Sequence, residues 1–154
     1  MITCNFISQD EQKNLILWAE NEECRLKPNG YQRFCNTIKN LSDNKLVYEI
    51  REKIIERFNL HNCKEELLGD WLGMVKNGGQ VHIHTDRRDY KEHHRFNVLI
   101  QLPEKGGVTI YDNKELPIKE RTLSYYRPDL YEHGTTKVIG NKPRINLSFG
   151  FLRF

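Results

Sequence analysis

The spacing of apolar positions changes near residue 70, and the change divides the chain into a helical part and an extended part. Before it, Ser8-Gln9-Asp10-Glu11 has the side chains of a self-capping helix start, and Leu15, Ile16, Trp18 and Ala19 follow before Glu22 and Glu23. Lys27-Pro28-Asn29-Gly30 breaks that run. A second helix is predicted from about Ser42-Asp43, with Leu46, Ile50, Ile54 and Phe58 on one face and Glu49, Arg51, Glu52, Lys53, Glu56 and Arg57 on the others. Residues 1–69 are therefore expected to form a mainly helical supporting layer.

Beyond Asp70 the runs are short and alternate. Trp71–Lys76 ends at Asn77-Gly78-Gly79, a turn signal, and Gln80–His84 resumes in extended form. Further strand-like runs are Arg95–Leu102, Val108–Tyr111, Glu115–Lys119, Thr122–Arg127, Thr136–Ile139 and Arg144–Phe154. Gly106-Gly107, Asp112-Asn113 and Gly140-Asn141-Lys142-Pro143 separate several of them. This cadence is that of a barrel or jelly roll. Helices first and strands second predict a mainly β (α+β) domain, its sheet buttressed on one face by helices.

Composition narrows this without redirecting it. A chain of 154 residues with 38% hydrophobic and 29% charged residues forms one domain with a core, residues 70–154 being the β part that carries chemistry. No apolar stretch is long enough for a membrane helix, and the start shows no leader pattern, so a cytoplasmic protein is expected. The four cysteines, Cys4, Cys24, Cys35 and Cys63, have neither zinc-ribbon nor thioredoxin spacing and are expected to be reduced. Residues 1–69 carry 10 Lys+Arg against 11 Asp+Glu, and the remainder 14 against 10, with five of six histidines beyond residue 80. That excess is too small for a nucleic-acid footprint but suits a small anionic ligand.

His84-Thr85-Asp86 is the first feature with chemical content. On a strand, residues i and i+2 share a face, so one imidazole and one carboxylate can reach the same cation. His133, just after Pro128-Asp129-Leu130, is the candidate third ligand. Two histidines and a carboxylate make the facial triad of non-haem iron(II) sites, which leaves positions open for substrate and oxygen. Arg144 opens the last run, where Arg144, Asn146 and Ser148 share one face and Ile145, Leu147 and Phe149 the other. An arginine on the inner face of a barrel suits a bound carboxylate, held by two parallel hydrogen bonds, and Ser148 could add a third.

From Trp71 to Phe154 the chain resembles the iron(II)/2-oxoglutarate-dependent oxygenases, in their prolyl-hydroxylase-like branch. The residues that carry the resemblance are Asn77-Gly78-Gly79-Gln80, His84-x-Asp86, Arg95–Leu102, Gly106-Gly107, Thr122–Tyr126, His133, Val138-Ile139-Gly140 and Arg144, in the family's order. The resemblance implies a double-stranded β-helix with N-terminal supporting helices. It implies that His84, Asp86 and His133 bind Fe(II), that 2-oxoglutarate chelates the metal, and that Arg144 pairs with its distal carboxylate. It also implies O2 as cosubstrate and hydroxylation of a substrate C–H, with a prolyl residue in a peptide or protein, free proline or another small molecule as substrate. Members often hold the 2-oxoglutarate carboxylate with a tyrosine, and Tyr111 and Tyr125 are the candidates here.

Other readings share these residues. Asn146 and Ser148 after Arg144 match a run of the alkylated-nucleic-acid demethylases, but Gly150 stands where those enzymes carry a second arginine. His82 and His84 spell the His-x-His of a cupin, for which Asp89 fits the needed glutamate only loosely and Gly140–Gly150 holds no histidine. A barrel that binds without catalysis is a third reading. Arg95 and Asn97 open a strand with inward alternation and are candidate contacts to cosubstrate or product. Arg88, in the basic stretch Arg87–Arg95, is a candidate substrate contact. His93 and His94 are adjacent, so on a strand they face opposite ways and are no ligand pair.

Overall fold

Helix α1 (Gln9–Glu22) begins where its capping residues require: Ser8 Oγ accepts from the Glu11 N–H at 3.1 Å, and the Ser8 N–H donates to the Glu11 carboxylate at 2.6 Å. Helix α2 (Lys45–Phe58) starts slightly later than its pattern predicts, because Asn44 rather than Ser42 or Asp43 caps it, accepting from the Leu46 N–H at 3.0 Å. Asn59 ends it in the left-handed conformation. Its buried face is Val47, Ile50, Ile54 and Ile55, with Leu46 and Phe58 at the margins. Residues four apart drift about 40° around a helix at each step, so the ends of a long i, i+4 row leave the core.

The computed structural model describes residues 1–65, 69–86 and 92–153. Their strands are β1 (Ile2–Thr3), β2 (Lys27–Pro28), β3 (Arg33–Thr37), β4 (Lys64–Glu65), β5 (Trp71–Val75), β6 (Glu92–Gln101), β7 (Lys105–Gly106), β8 (Thr109–Tyr111), β9 (Lys114–Leu116), β10 (Thr122–Tyr126), β11 (His133–Thr135), β12 (Val138–Ile139) and β13 (Arg144–Arg153). The large antiparallel sheet runs in the order β1-β10-β6-β13-β5-β3-β2, with β4 also paired to β13. Two small sheets, β11-β8-β9 and β12-β7, complete the architecture.

Four strands of the large sheet come from residues before 70, so the expected helical layer also widens the sheet. The sequence patterning missed β3, whose five residues are all half-buried and show no apolar alternation. The expected strand Gln80–His84 is instead irregular chain lying along β11, with a single bridge between His84 and His133. The run expected over Glu115–Lys119 gives β9, which stops before Pro117, a residue with no N–H for the ladder.

Strand β13 shows how one sequence serves two environments. Ile145, Leu147, Phe149 and Phe151 are 2% exposed or less and pack into the core shared with α1 and α2. Arg144, Asn146 and Ser148 face the other way, toward the small sheets. The same alternation splits His93 from His94 on β6. His93 faces inward, and His94 lies on the outer side, its Nδ1 2.9 Å from the Tyr125 hydroxyl. Burial holds the His94 pKa below the usual histidine value against the opposing pull of Glu92. Below about pH 6.5 the unfolded chain then binds more protons than the folded one, so acid favours unfolding. Urea midpoints of the metal-free protein should fall between pH 7 and 5.5, and fall less in His94→Gln; an unchanged slope in the variant would remove His94 from this account.

Candidate metal centre

His84 and His133 meet because two segments are tied through their backbones. The His84 N–H donates to the His133 carbonyl at 3.1 Å, and the His133 N–H to the His84 carbonyl at 2.9 Å. Gly134 permits this approach, since a Cβ there would stand 2.7 Å from the Val81 carbonyl oxygen. Asp86 is fixed by its own N–H, which donates to the Pro128 carbonyl at 2.8 Å. The result is a cluster in which one ligand atom from each of His84, Asp86 and His133 lies within 4.8 Å of the others. Asp86 Oδ1 is 3.4 Å from His84 Nε2 and 3.8 Å from His133 Nε2.

The outer nitrogens orient the rings. His84 Nδ1 lies 2.7 Å from the His82 carbonyl oxygen, and His133 Nδ1 3.4 Å from that of Tyr131. With Nδ1 turned to a backbone carbonyl on each ring, both Nε2 atoms face Asp86, and a divalent metal would displace the proton that His84 shares with it. For Asp86, burial works against the charge, but the hydrogen bond from His84 and the nearby His133 and His93 outweigh it and lower its pKa. His84 is correspondingly raised, chiefly by Asp86, whereas burial lowers His133. His93, which the sequence reading set aside, stands with Nδ1 3.3 Å from Asp86 Oδ2. It holds the oxygen that faces away from the two ligand histidines.

These groups open on a cavity of about 740 Å3 between the large sheet and the β8–β11 wall. Small-molecule sites commonly span about 300–1,000 Å3. Arg144 reaches it as a buried side chain, donating from Nε to the Gly107 carbonyl at 3.0 Å and from Nη2 to Thr109 Oγ1 at 3.1 Å. Among the described residues no carboxylate pairs with it. Burial lowers its pKa, opposed by Tyr126.

The remaining expected site residues divide. Arg95, Asn97, Asn146 and Ser148 line the cavity. Ser148, however, accepts from Arg95 at 3.4 Å and sits four residues from Arg144, about 13 Å along the strand, so it is Arg95's partner and no third donor beside Arg144. Asn146 donates to Asn97 at 3.4 Å.

Tyr111 and Tyr125 do not line the cavity. The Tyr111 hydroxyl accepts from the Arg127 N–H, and Tyr125 packs outward on Phe96 and His94. The tyrosine in the wall is Tyr126, opposite Arg95 in the β10–β6 register and close to Arg144. Only the pairing register with β6, on which Arg95 and Asn97 point inward, distinguishes it from Tyr125. His82 stays outside the cluster, bonded to Gln80. Arg88 and Asp89 lie outside the described residues.

No family model and no curated protein matches the chain. Solved structures do. A viral collagen prolyl hydroxylase from Paramecium bursaria Chlorella virus-1, in complex with 2-oxoglutarate, superposes with a TM-score of 0.75 at 16% identity, over 98% of this chain and 94% of that one. A Pseudomonas putida prolyl-4-hydroxylase gives 0.71 at 15% identity, over 99% and 91%. HygX from Streptomyces hygroscopicus, with nickel and 2-oxoglutarate bound, gives 0.73 at 10% identity, over 98% and 81%. The fold is a double-stranded β-helix with helices outside its larger sheet.

Proposed function

We propose that this chain is an Fe(II)- and 2-oxoglutarate-dependent oxygenase that hydroxylates a C–H of a prolyl residue or of a related peptide or amino-acid substrate. The observation that carries the proposal is Arg144, a buried guanidinium with no carboxylate partner among the described residues, in the same cavity as His84, Asp86 and His133. A buried charge is costly unless paired, so such an arginine is a standing site for an anion. The donor set, two imidazole nitrogens and one carboxylate with positions open to a cavity, suits iron(II). When bound, the metal and its oxoacid supply the oxidation, with O2 consumed and succinate and carbon dioxide released.

The chain's own residues do the rest. Arg144 and the Thr109 hydroxyl receive the far carboxylate of the diacid, and Tyr126 closes that end. His84, Asp86 and His133 hold the metal, with His93 keeping the Asp86 carboxylate turned. Val75, Leu99, Ile110 and Ile118 give the cavity an apolar lining that limits water. A peptide partner is supported by the prolyl hydroxylase from Trichoplax adhaerens, solved with a peptide fragment, which superposes with a TM-score of 0.72 at 14% identity, over 99% of this chain and 82% of that one. None of the described helices is long and apolar enough to cross a membrane. We place the activity in the cytoplasm, as the sequence reading expects.

The test is anaerobic visible absorption of the metal-free protein titrated with iron(II) and then 2-oxoglutarate. A weak charge-transfer band that needs both, followed by substrate-dependent succinate release, is the expected result. Metal binding without that band would overturn the oxygenase reading in favour of a metal-binding barrel. No metal binding would leave a non-catalytic module.

A further inference from the structure

We propose that Arg33 and Trp71 form a second carboxylate subsite in the cavity, and that the molecule brought to the metal carries a carboxylate. The inference rests on the oxygenase reading and names the substrate class for that site. Both Arg33 on β3 and Arg144 on β13 stand opposite Val75, one on either side of β5, and all three residues line the cavity. Two strand spacings separate the arginines' backbones by about 10 Å, and the guanidiniums are held by different groups, that of Arg144 by Gly107 and Thr109 and that of Arg33 over the Trp71 ring. Arg144 serves the far end of the diacid; Arg33 serves something else.

Arg33 lies at the metal end. Its charge acts on His84 and Asp86, the one carboxylate among the described lining residues. It is half-buried, and among the described residues its guanidinium makes no hydrogen bond or ion pair. It stacks on the Trp71 ring at 5.7 Å, with Arg95 on the same ring at 5.6 Å. The Trp71 indole N–H is itself buried, with no acceptor among the described residues. A donor left unmet in that way destabilises the fold unless a ligand meets it.

Metal loading sharpens the demand. Asp86 then serves a divalent cation and no longer offsets Arg33, which is left beside like charge in a partly dry cavity. An incoming carboxylate can take a charge-assisted bond from Arg33 and one from the Trp71 N–H, whereas its neutral amide can accept from Arg33 but brings no charge to offset it.

The test follows the indole N–H signals by NMR in protein loaded with zinc(II), which does no redox chemistry, and 2-oxoglutarate. There are two tryptophans, and the Trp18 indole already donates to the Ser42 carbonyl, so it serves as an internal reference. Acetate, N-acetyl-L-proline and N-acetyl-L-prolinamide are titrated in turn. Acetate and N-acetyl-L-proline should shift Trp71, and N-acetyl-L-proline should bind about tenfold or more tighter than its amide. Arg33→Gln should abolish the preference, Arg33→Lys should keep part of it, and the 2-oxoglutarate affinity of both should stay within about twofold of wild type.

A Trp71 signal unmoved by either carboxylate, or a preference that survives Arg33→Gln, overturns the proposal. So does a tenfold loss of 2-oxoglutarate affinity in Arg33→Gln, which would make Arg33 a cosubstrate anchor. An Arg33-dependent response to acetate but none to N-acetyl-L-proline supports the subsite and tells against a prolyl substrate. The charge-transfer experiment fails or succeeds independently of these shifts, so the two readings can fall separately.

Discussion

Replacing Arg144 with methionine is expected to raise the 2-oxoglutarate requirement at least about 30-fold, because truncating one partner of a buried ion pair costs about 2–5 kcal/mol. The side chain is buried and directed by bonds to Gly107 and Thr109, and the other arginines of the cavity, Arg33 and Arg95, are engaged with Trp71. Binding of the diacid by the zinc-loaded protein reads the loss without turnover. In wild type, 2-oxoglutarate should raise the unfolding temperature by mass action; in Arg144→Met the rise should vanish over the same concentrations. Arg144→Lys should recover only part of the affinity, since an ammonium cannot make two parallel bonds to one carboxylate. An unchanged requirement in the methionine variant would place the anchor elsewhere in the cavity.

Asp86→Ala is expected to remove turnover entirely. Disturbing the groups that merely orient a metal ligand already costs about 10–100-fold in affinity, so deleting a ligand should exceed that. The histidine pair should survive, because backbone bonds and not the carboxylate hold His84 to His133. Calorimetric titration of metal into the variant, with far-UV circular dichroism to verify the fold, checks both statements. Hydroxylation retained by a folded Asp86→Ala would refute the assignment of the centre.

The clustering of His84 with Asp86 and the inward side of Arg144 were legible in the sequence because each sits in a local pattern: His84-x-Asp86 two residues apart, and Arg144 heading an alternating strand. Arg33 could not. It lies far upstream on a strand whose half-buried residues give no apolar period, and only the pairing of β3 with β5 carries it into the cavity. Alternation separates His93 from His94 without saying which faces in, and Asp86 is distant from His93 along a stretch whose path no periodicity describes.

The tyrosines show a subtler limit. Alternation along Thr122–Tyr126 separates Tyr125 from Tyr126 but does not say which faces in; the register Tyr126↔Arg95 does. Tyr111 shows the same limit on the small sheet, where strands of three residues are too short for a face to declare itself. Ser148 was right about its face and wrong about its neighbour, because distance along a strand matters as much as side.

The paired backbones of His84 and His133 bear on what assembling the centre costs. Each ring stands on a rung of the same short ladder, and that ladder closes only because position 134 has no side chain. The entropy of bringing two distant imidazoles together is therefore spent when the polypeptide folds, and the cation meets a vise already set to width. On the proposed function, Gly134, with no ligating side chain of its own, would thereby govern affinity for an ion it never touches.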